Sequence, residues 1–114
     1  MIRFRCVLAA SVVAVLSAAP AFAIAPSPYD MTYRIRGGGE TALLADMKEG
    51  AGRVGTIPAG AEGIVLRWCR SEIPFGAWQF GSRKEQLKLL DARWCEVSYK
   101  GKVGDVPGSA LEPE

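Results

Sequence analysis

The sequence predicts a small all-β barrel with one short helix. Short runs in which apolar and polar residues alternate recur along the chain, which is the pattern of half-buried strands. Glycine or proline turn signals separate these runs at short intervals, as in small barrels. A single segment breaks this pattern: Ser82-Arg83-Lys84-Glu85 is a capping-box sequence followed by leucines, and it predicts a helix over Arg83–Asp91.

The N-terminal segment has the features of a secretory signal peptide spanning residues 1–23. Arg3 and Arg5 precede an apolar run, and the small-residue ending Ala21-Phe22-Ala23 matches a cleavage site. A retained membrane anchor is the alternative, but the apolar run is shorter than the roughly 20 residues that a spanning helix needs. We therefore expect a periplasmic or secreted bacterial protein without stable membrane insertion after cleavage.

Composition argues against several functions. The net charge of +2 falls to about zero when Arg3 and Arg5 leave with the signal, so no basic field remains for nucleic acid. The chain has no histidine, which excludes Ser-His and Cys-His nucleophiles and histidine metal sites. Carboxylates such as Glu49 and Asp105 are available for acid–base work, but nothing in the sequence places them together. We expect no enzyme activity, no cofactor and no metal.

Two cysteines remain after cleavage, and each ends the same tripeptide, Arg67-Trp68-Cys69 and Arg93-Trp94-Cys95. An even cysteine count in an exported chain favours a disulfide between Cys69 and Cys95, with two free buried thiols as the alternative. Closing the loop between them contributes roughly 3 to 4 kcal/mol of stability in the chain-entropy model. That is a large share for a domain of this size.

The elements follow in order along the mature chain. Residues 24–32, with two prolines, form an N-terminal arm. Strands are predicted near residues 31–36, 41–45, 54–58, 64–69 and 94–99. The glycine run at 37–39 is interpreted as a turn, because no phosphate-loop context surrounds it, and 46–53 is interpreted as a polar loop. Strict alternation on the predicted strand at 64–69 places Ile64, Leu66 and Trp68 on one face and Cys69 on the other.

The interval between the cysteines, residues 71–92, has its own character. Phe75, Trp78 and Phe80 are separated by glycines and predict a compact aromatic loop before the helix. An isolated helix this short is marginal in water, so it has to dock on the barrel. Two interpretations stay open: a structural cap over the barrel, or a recognition surface.

Several of these segments together resemble the bacterial SH3-like (SH3b) domains, especially the exported members with two cysteines. The segments are Tyr33-Arg34-Ile35-Arg36-Gly37, Val54-Gly55-Thr56-Ile57-Pro58 and Trp94-Cys95-Glu96-Val97-Ser98-Tyr99. The resemblance implies an SH3-like domain over residues 33–114, with 71–92 as an insertion. It also meets two departures. Leu44-Ala45-Asp46 lacks the family's arginine, and Gly104-Asp105-Val106 has a carboxylate where an aromatic residue is usual.

The resemblance implies a non-catalytic binding module that engages a cell-wall peptide or an envelope protein along a shallow aromatic groove. A secreted inhibitor or structural factor, whose insertion contacts a partner enzyme, is the alternative. Core packing is the competing interpretation for Trp94, and a solvated rim is the competing one for the carboxylates. The candidate contact residues are Trp78, Trp94, Tyr99, Asp46, Glu49 and Asp105.

Overall fold

The computed structural model describes residues 26–114, so the predicted signal peptide and the first two residues of the predicted arm lie outside the described residues. Seven strands are present: β1 Thr32–Ile35, β2 Thr41–Leu44, β3 Arg53–Ile57, β4 Ile64–Cys69, β5 Trp94–Tyr99, β6 Lys102–Pro107 and β7 Leu111–Pro113. Two helices, α1 Phe75–Phe80 and α2 Arg83–Asp91, connect β4 to β5. A 3-10 turn, Gly108–Ala110, precedes β7.

All seven strands belong to one antiparallel sheet with the order β3-β2-β6-β5-β4-β1-β7. The prediction of a small, mainly antiparallel β domain is therefore confirmed. The predicted closure into a barrel is not: β3 and β7 are the two edges, and no pairing among residues 26–114 joins them. None of the helices in this part of the chain is long and apolar enough to cross a membrane.

The core lies against one face of the sheet, here called the inner face. Alternate residues of the central strands point into it, as the period of two requires. Its largest fully buried members are Trp78, Tyr33, Leu43, Ile57, Ile64, Leu66, Leu90 and Leu111. Packing is tight where β2 meets β6, since a Cβ added to Gly104 would lie 2.8 Å from the Leu43 Cβ.

The disulfide between Cys69 and Cys95 is present. The two cysteines are directly opposite each other at the ends of β4 and β5, and both are buried in the core. The bond therefore closes the base of the whole insertion where the chain leaves the sheet and returns to it.

A β-bulge overturns the predicted faces of β4. Leu66 pairs with Val97 and Trp68 pairs with Glu96, so Arg67 is an extra residue without a partner. A bulge of this kind shifts the alternation by one position. Trp68 consequently projects outward, opposite to the face predicted for it, while Cys69 shares the inner face with Leu66.

Helix α2 begins and ends where the sequence predicts. The Ser82 hydroxyl accepts a hydrogen bond from the Glu85 backbone N–H at 3.2 Å, and the Glu85 carboxylate accepts one from the Ser82 N–H at 3.2 Å. This reciprocal pair satisfies two N–H groups that the first helical turn leaves free.

The predicted aromatic loop is instead a helix, α1. In its first turn the Trp78 N–H donates a hydrogen bond to the Pro74 carbonyl at 3.0 Å, and Gly81 caps the C-terminal end of the helix. Gly76 lowers helix propensity, which is why the sequence favoured a loop. Burial of Trp78 supplies the stability that a six-residue helix lacks by itself.

The insertion packs closely on the sheet. The Trp78 ring lies 6.2 Å from the Tyr33 ring, and Leu90 of α2 is fully buried. A Cβ on Gly108 would lie 2.1 Å from the Leu90 carbonyl oxygen, so only glycine allows this approach. The Arg36 guanidinium and the Asp91 carboxylate form an ion pair at 2.7 Å. These contacts make the insertion a structural cap.

Arg93, from the second tripeptide, closes the insertion from the other side. Its guanidinium donates hydrogen bonds to the carbonyls of Ser71 and Leu89, both at 2.7 Å. The start of the insertion and the end of α2 are thus held by one side chain beside the disulfide.

The described part of the N-terminal arm is packed against the domain. Pro28 is buried, and its carbonyl accepts a hydrogen bond from the Tyr33 hydroxyl at 2.6 Å. The Tyr29 hydroxyl accepts a hydrogen bond from the Ile73 N–H at 3.4 Å. The arm therefore also contacts the insertion. Burial raises the pKa of the Tyr33 hydroxyl well above its usual range, with Tyr29 adding a smaller effect, so this group stays a donor at physiological pH.

Candidate binding face

The side of the sheet opposite the core is exposed over β4, β5 and β6, and we call it the outer face. Register fixes which of its side chains are neighbours. Val65, Ser98 and Val103 form one row across the three strands, and Trp68, Glu96 and Asp105 form the next row. Trp94 and Pro107 form a third row on β5 and β6. The face thus combines two tryptophans, two valines and two carboxylates.

Much of the apolar surface of this face is open to solvent. Trp68 is 49% exposed, and the two valines of the first row are exposed to a similar degree. Single exposed apolar residues are common on protein surfaces, whereas neighbouring ones on one sheet face make that face a candidate for contacts with a partner.

Trp68 is held in place by its neighbour across the strand. Its indole N–H donates a hydrogen bond to the Glu96 carboxylate at 2.5 Å. The Arg67 guanidinium lies 3.9 Å from the same carboxylate, in an exposed and therefore weak ion pair. The indole ring is oriented before any ligand arrives, which lowers the entropy cost of using it for contacts.

Negative charge gathers beside Trp68. The pKa of the Asp105 carboxyl is raised by partial burial first, and then by repulsion from Glu96 and from Asp46. Glu96 and Asp46 therefore both lie close enough to repel the Asp105 carboxylate. Within residues 26–114 no hydrogen bond or ion pair to the Asp105 side chain is found.

Asp105→Asn is expected to stabilise the fold at neutral pH. Because the folded-state pKa lies above the unfolded value of 3.8, the folded state holds its proton more strongly. Stability is thus lost as pH rises from 3.8 through the folded pKa. Solvent screening keeps the gain to about 0.5 kcal/mol or less. Thermal unfolding at pH 7 should show the gain, and unfolding below the unfolded pKa should not.

The control for this measurement is Glu62→Gln, which removes an exposed carboxylate from the turn before β4. No gain is expected from it at either pH. Equal gains from both variants would contradict the local origin of the repulsion at Asp105.

Three of the predicted contact residues meet at this face. Trp94 is partly exposed on the outer side of β5, not in the core as the competing interpretation had it. Asp105 lies in the row beside it, and Asp46 follows β2, the strand that pairs with Asp105 through Leu44.

Two other predicted contact residues lie elsewhere. Tyr99 alternates to the inner face with Cys95 and Val97 and packs against the core, with the Lys100 ammonium 5.5 Å from its ring centroid. Glu49 lies exposed in the loop between β2 and β3. Neither belongs to the rows of the outer face.

The prediction that Trp78 contacts a ligand does not agree with its position in the structure. Its side chain extends from α1 toward the Tyr33 ring and is fully buried, so it presents no surface to a partner. Its indole N–H has no hydrogen-bond partner in the described part of the chain. Trp78 therefore helps to pack the insertion against the sheet.

Sequence reasoning missed Trp68 and Glu96. Strict alternation placed Trp68 on the face of Ile64 and Leu66, which is the inner face, and the bulge at Arg67 turns it outward. The signal for Glu96 was available, since it is two residues from Trp94 and therefore on the same face of β5.

Metal-binding geometry is absent from the described residues. Across residues 26–114 no group of three or more His, Cys, Asp or Glu side chains is arranged to hold a metal ion. What the face offers is apolar and aromatic contact area beside negative charge.

A second exposed feature lies on the insertion. Phe80 is 85% exposed at the end of α1, and a shallow cavity of about 210 Å³ separates α1 from α2. Typical small-molecule sites are larger, from about 300 Å³ upward. The cavity is lined by Ala77, Glu85, Lys88, Leu89, Ala92 and Arg93.

No protein-family model, curated protein or solved structure matches this chain.

Proposed function

We propose that this protein is a non-catalytic, SH3-like binding module of the bacterial periplasm or cell surface that engages an extended peptide, from the cell wall or from an envelope protein. The disulfide supports the location, since such bonds persist in oxidising compartments. The succession of short antiparallel strands supports the relation to SH3-like domains, although the sheet is open.

The observation that carries this proposal is Trp68. A half-exposed indole that a β-bulge turns outward, fixed by a hydrogen bond and one row from Trp94, is costly to leave in water. Covering its apolar area would contribute about 25 cal/mol per Å². Rigid aromatic side chains supply such contact area at small entropy cost, which is why recognition surfaces are rich in them.

Trp68→Ala is expected to weaken binding by about tenfold or more, as for a central aromatic contact. The mature protein would be tested by co-sedimentation with purified peptidoglycan sacculi and by crosslinking in intact cell envelope. Stability should change little, because the side chain is half exposed.

Phe80→Ala is the matched control for that experiment, since it removes an exposed aromatic ring from the insertion instead of the sheet. Unchanged capture by this variant, with loss in Trp68→Ala, supports the outer face. Undiminished capture by Trp68→Ala would overturn the proposal for this face.

The alternative function, a secreted inhibitor or structural factor, is favoured by one observation: the exposed Phe80 at the tip of a stapled insertion. It predicts saturable inhibition of a wall hydrolase or protease that Phe80→Ala removes and Trp68→Ala leaves intact. The same pair of variants therefore separates the two functions.

A further inference from the structure

We infer that the partner of the outer face is a basic segment of a protein, which places a lysine or arginine side chain over the ring face of Trp68 and beside the carboxylates of Glu96 and Asp105. The inference rests on the proposed function and names the chemistry of its ligand.

Carboxylates outnumber cations on this part of the outer face. Glu96 and Asp105 are directly opposite on β5 and β6, and Asp46 is near enough to repel Asp105. The ion pair that reaches this group among the described residues is Arg67 with Glu96, at 3.9 Å and with an exposed guanidinium. Three carboxylates and one arginine leave this part of the outer face negative, so the face complements a cation.

An exposed aromatic side chain lies beside these carboxylates. Trp68 is in the same row as both carboxylates, and its indole N–H donates to Glu96. The face of an indole attracts a cation within about 6 Å, and a carboxylate alongside adds attraction of the same sign. A lysine or arginine side chain also covers apolar surface with its methylene stem, which suits the exposed Val65 and Val103 of the next row.

The negative charge of the outer face distinguishes between the two proposed sources of the peptide. Cell-wall stem peptides carry free carboxylates beside any amine, and these would face Glu96, Asp105 and Asp46. Like charges opposed across an interface are strongly unfavourable. A basic protein segment brings the cation without that repulsion, so the charge of the face favours a protein partner over the wall.

Fluorescence anisotropy with the mature protein tests this directly. The probe is a fluorescein-labelled peptide of sequence Gly-Lys-Gly-Lys-Gly, compared with its Nε-acetylated form and with a glutamate form, and sacculi serve as the wall ligand. We expect the lysine peptide to bind about tenfold or more tightly than the acetylated peptide at low salt. Asp105→Asn with Glu96→Gln should remove that difference, and Glu62→Gln should preserve it.

The outcomes are distinguishable. Equal binding of lysine and acetylated peptides, abolished by Trp68→Ala, would keep the proposed function and overturn the charge inference. Binding of sacculi without binding of the lysine peptide would also overturn it, in favour of the wall. Equal weakening by Glu62→Gln and by the double variant would reduce the effect to general attraction and overturn it. Failure of every probe and of the envelope crosslinking would overturn the proposed function as well. Circular dichroism of each variant confirms that it is folded.

Discussion

Trp78→Ala is expected to lower the free energy of unfolding by about 3 to 5 kcal/mol, the range for removing a large buried aromatic side chain. Trp78 is the largest fully buried side chain among the described residues. It provides the buried contact of α1 and lies 6.2 Å from the Tyr33 ring. A six-residue helix without that contact has little reason to form. A loss of this size is comparable with the whole stability of a small domain.

Urea unfolding followed by far-ultraviolet circular dichroism measures this effect. Trp68→Ala is the matched control, because it removes the same side chain from the outer face, where we expect a change of about 1 kcal/mol or less. Similar losses in the two variants would contradict the division between a structural Trp78 and an exposed Trp68.

Local signals in the sequence were sufficient for some of the structure. The capping box at Ser82 and Glu85 determines the start of α2 through side chains three residues apart, and such short-range bonds are visible in sequence. The cysteine count likewise predicted the disulfide between Cys69 and Cys95. The segments of β1 to β5 were found for the same reason, since alternation is local, whereas β6 and β7 were not predicted as strands.

Features that depend on tertiary contacts were missed. The bulge at Arg67 leaves no clear signal in Ile64–Cys69, because the alternation of apolar and other residues continues through it in the sequence. Helix α1 forms because Trp78 is buried against a distant strand, and this overrides the low propensity of a segment with Gly76. Whether a sheet closes also depends on its edges, β3 and β7, which sequence periodicity does not describe.

The same distinction between local signals and tertiary contacts applies to the residues of the candidate site. Trp94 was found from a recognisable strand pattern and Asp105 from the resemblance to SH3-like domains, and they do share the outer face. Trp78 was misplaced, since an aromatic residue between glycines looks the same whether its ring is buried or exposed. Trp68 was missed because one extra residue in β4 reverses its direction.

Replacing both cysteines, Cys69→Ala with Cys95→Ala, is expected to lower the free energy of unfolding by about 3 to 4 kcal/mol. The bond closes a loop with a sequence separation of 26 residues, and the unfolded chain regains that freedom when the bond is absent. Chemical denaturation of the oxidised protein and of the double variant gives the difference.

The native insertion should nevertheless stay docked, because Arg93 still joins Ser71 to Leu89 and Leu90 stays buried beside Gly108. The double variant should therefore keep the native circular dichroism spectrum and bind through the outer face with unchanged affinity. The control is the unaltered chain treated with a phosphine reductant, which breaks the bond and keeps both sulfur atoms in the core. A matching loss on reduction assigns the effect to the covalent link. Stability that drops in the double variant but not on reduction would contradict it and assign the effect to sulfur packing, since both cysteines are buried.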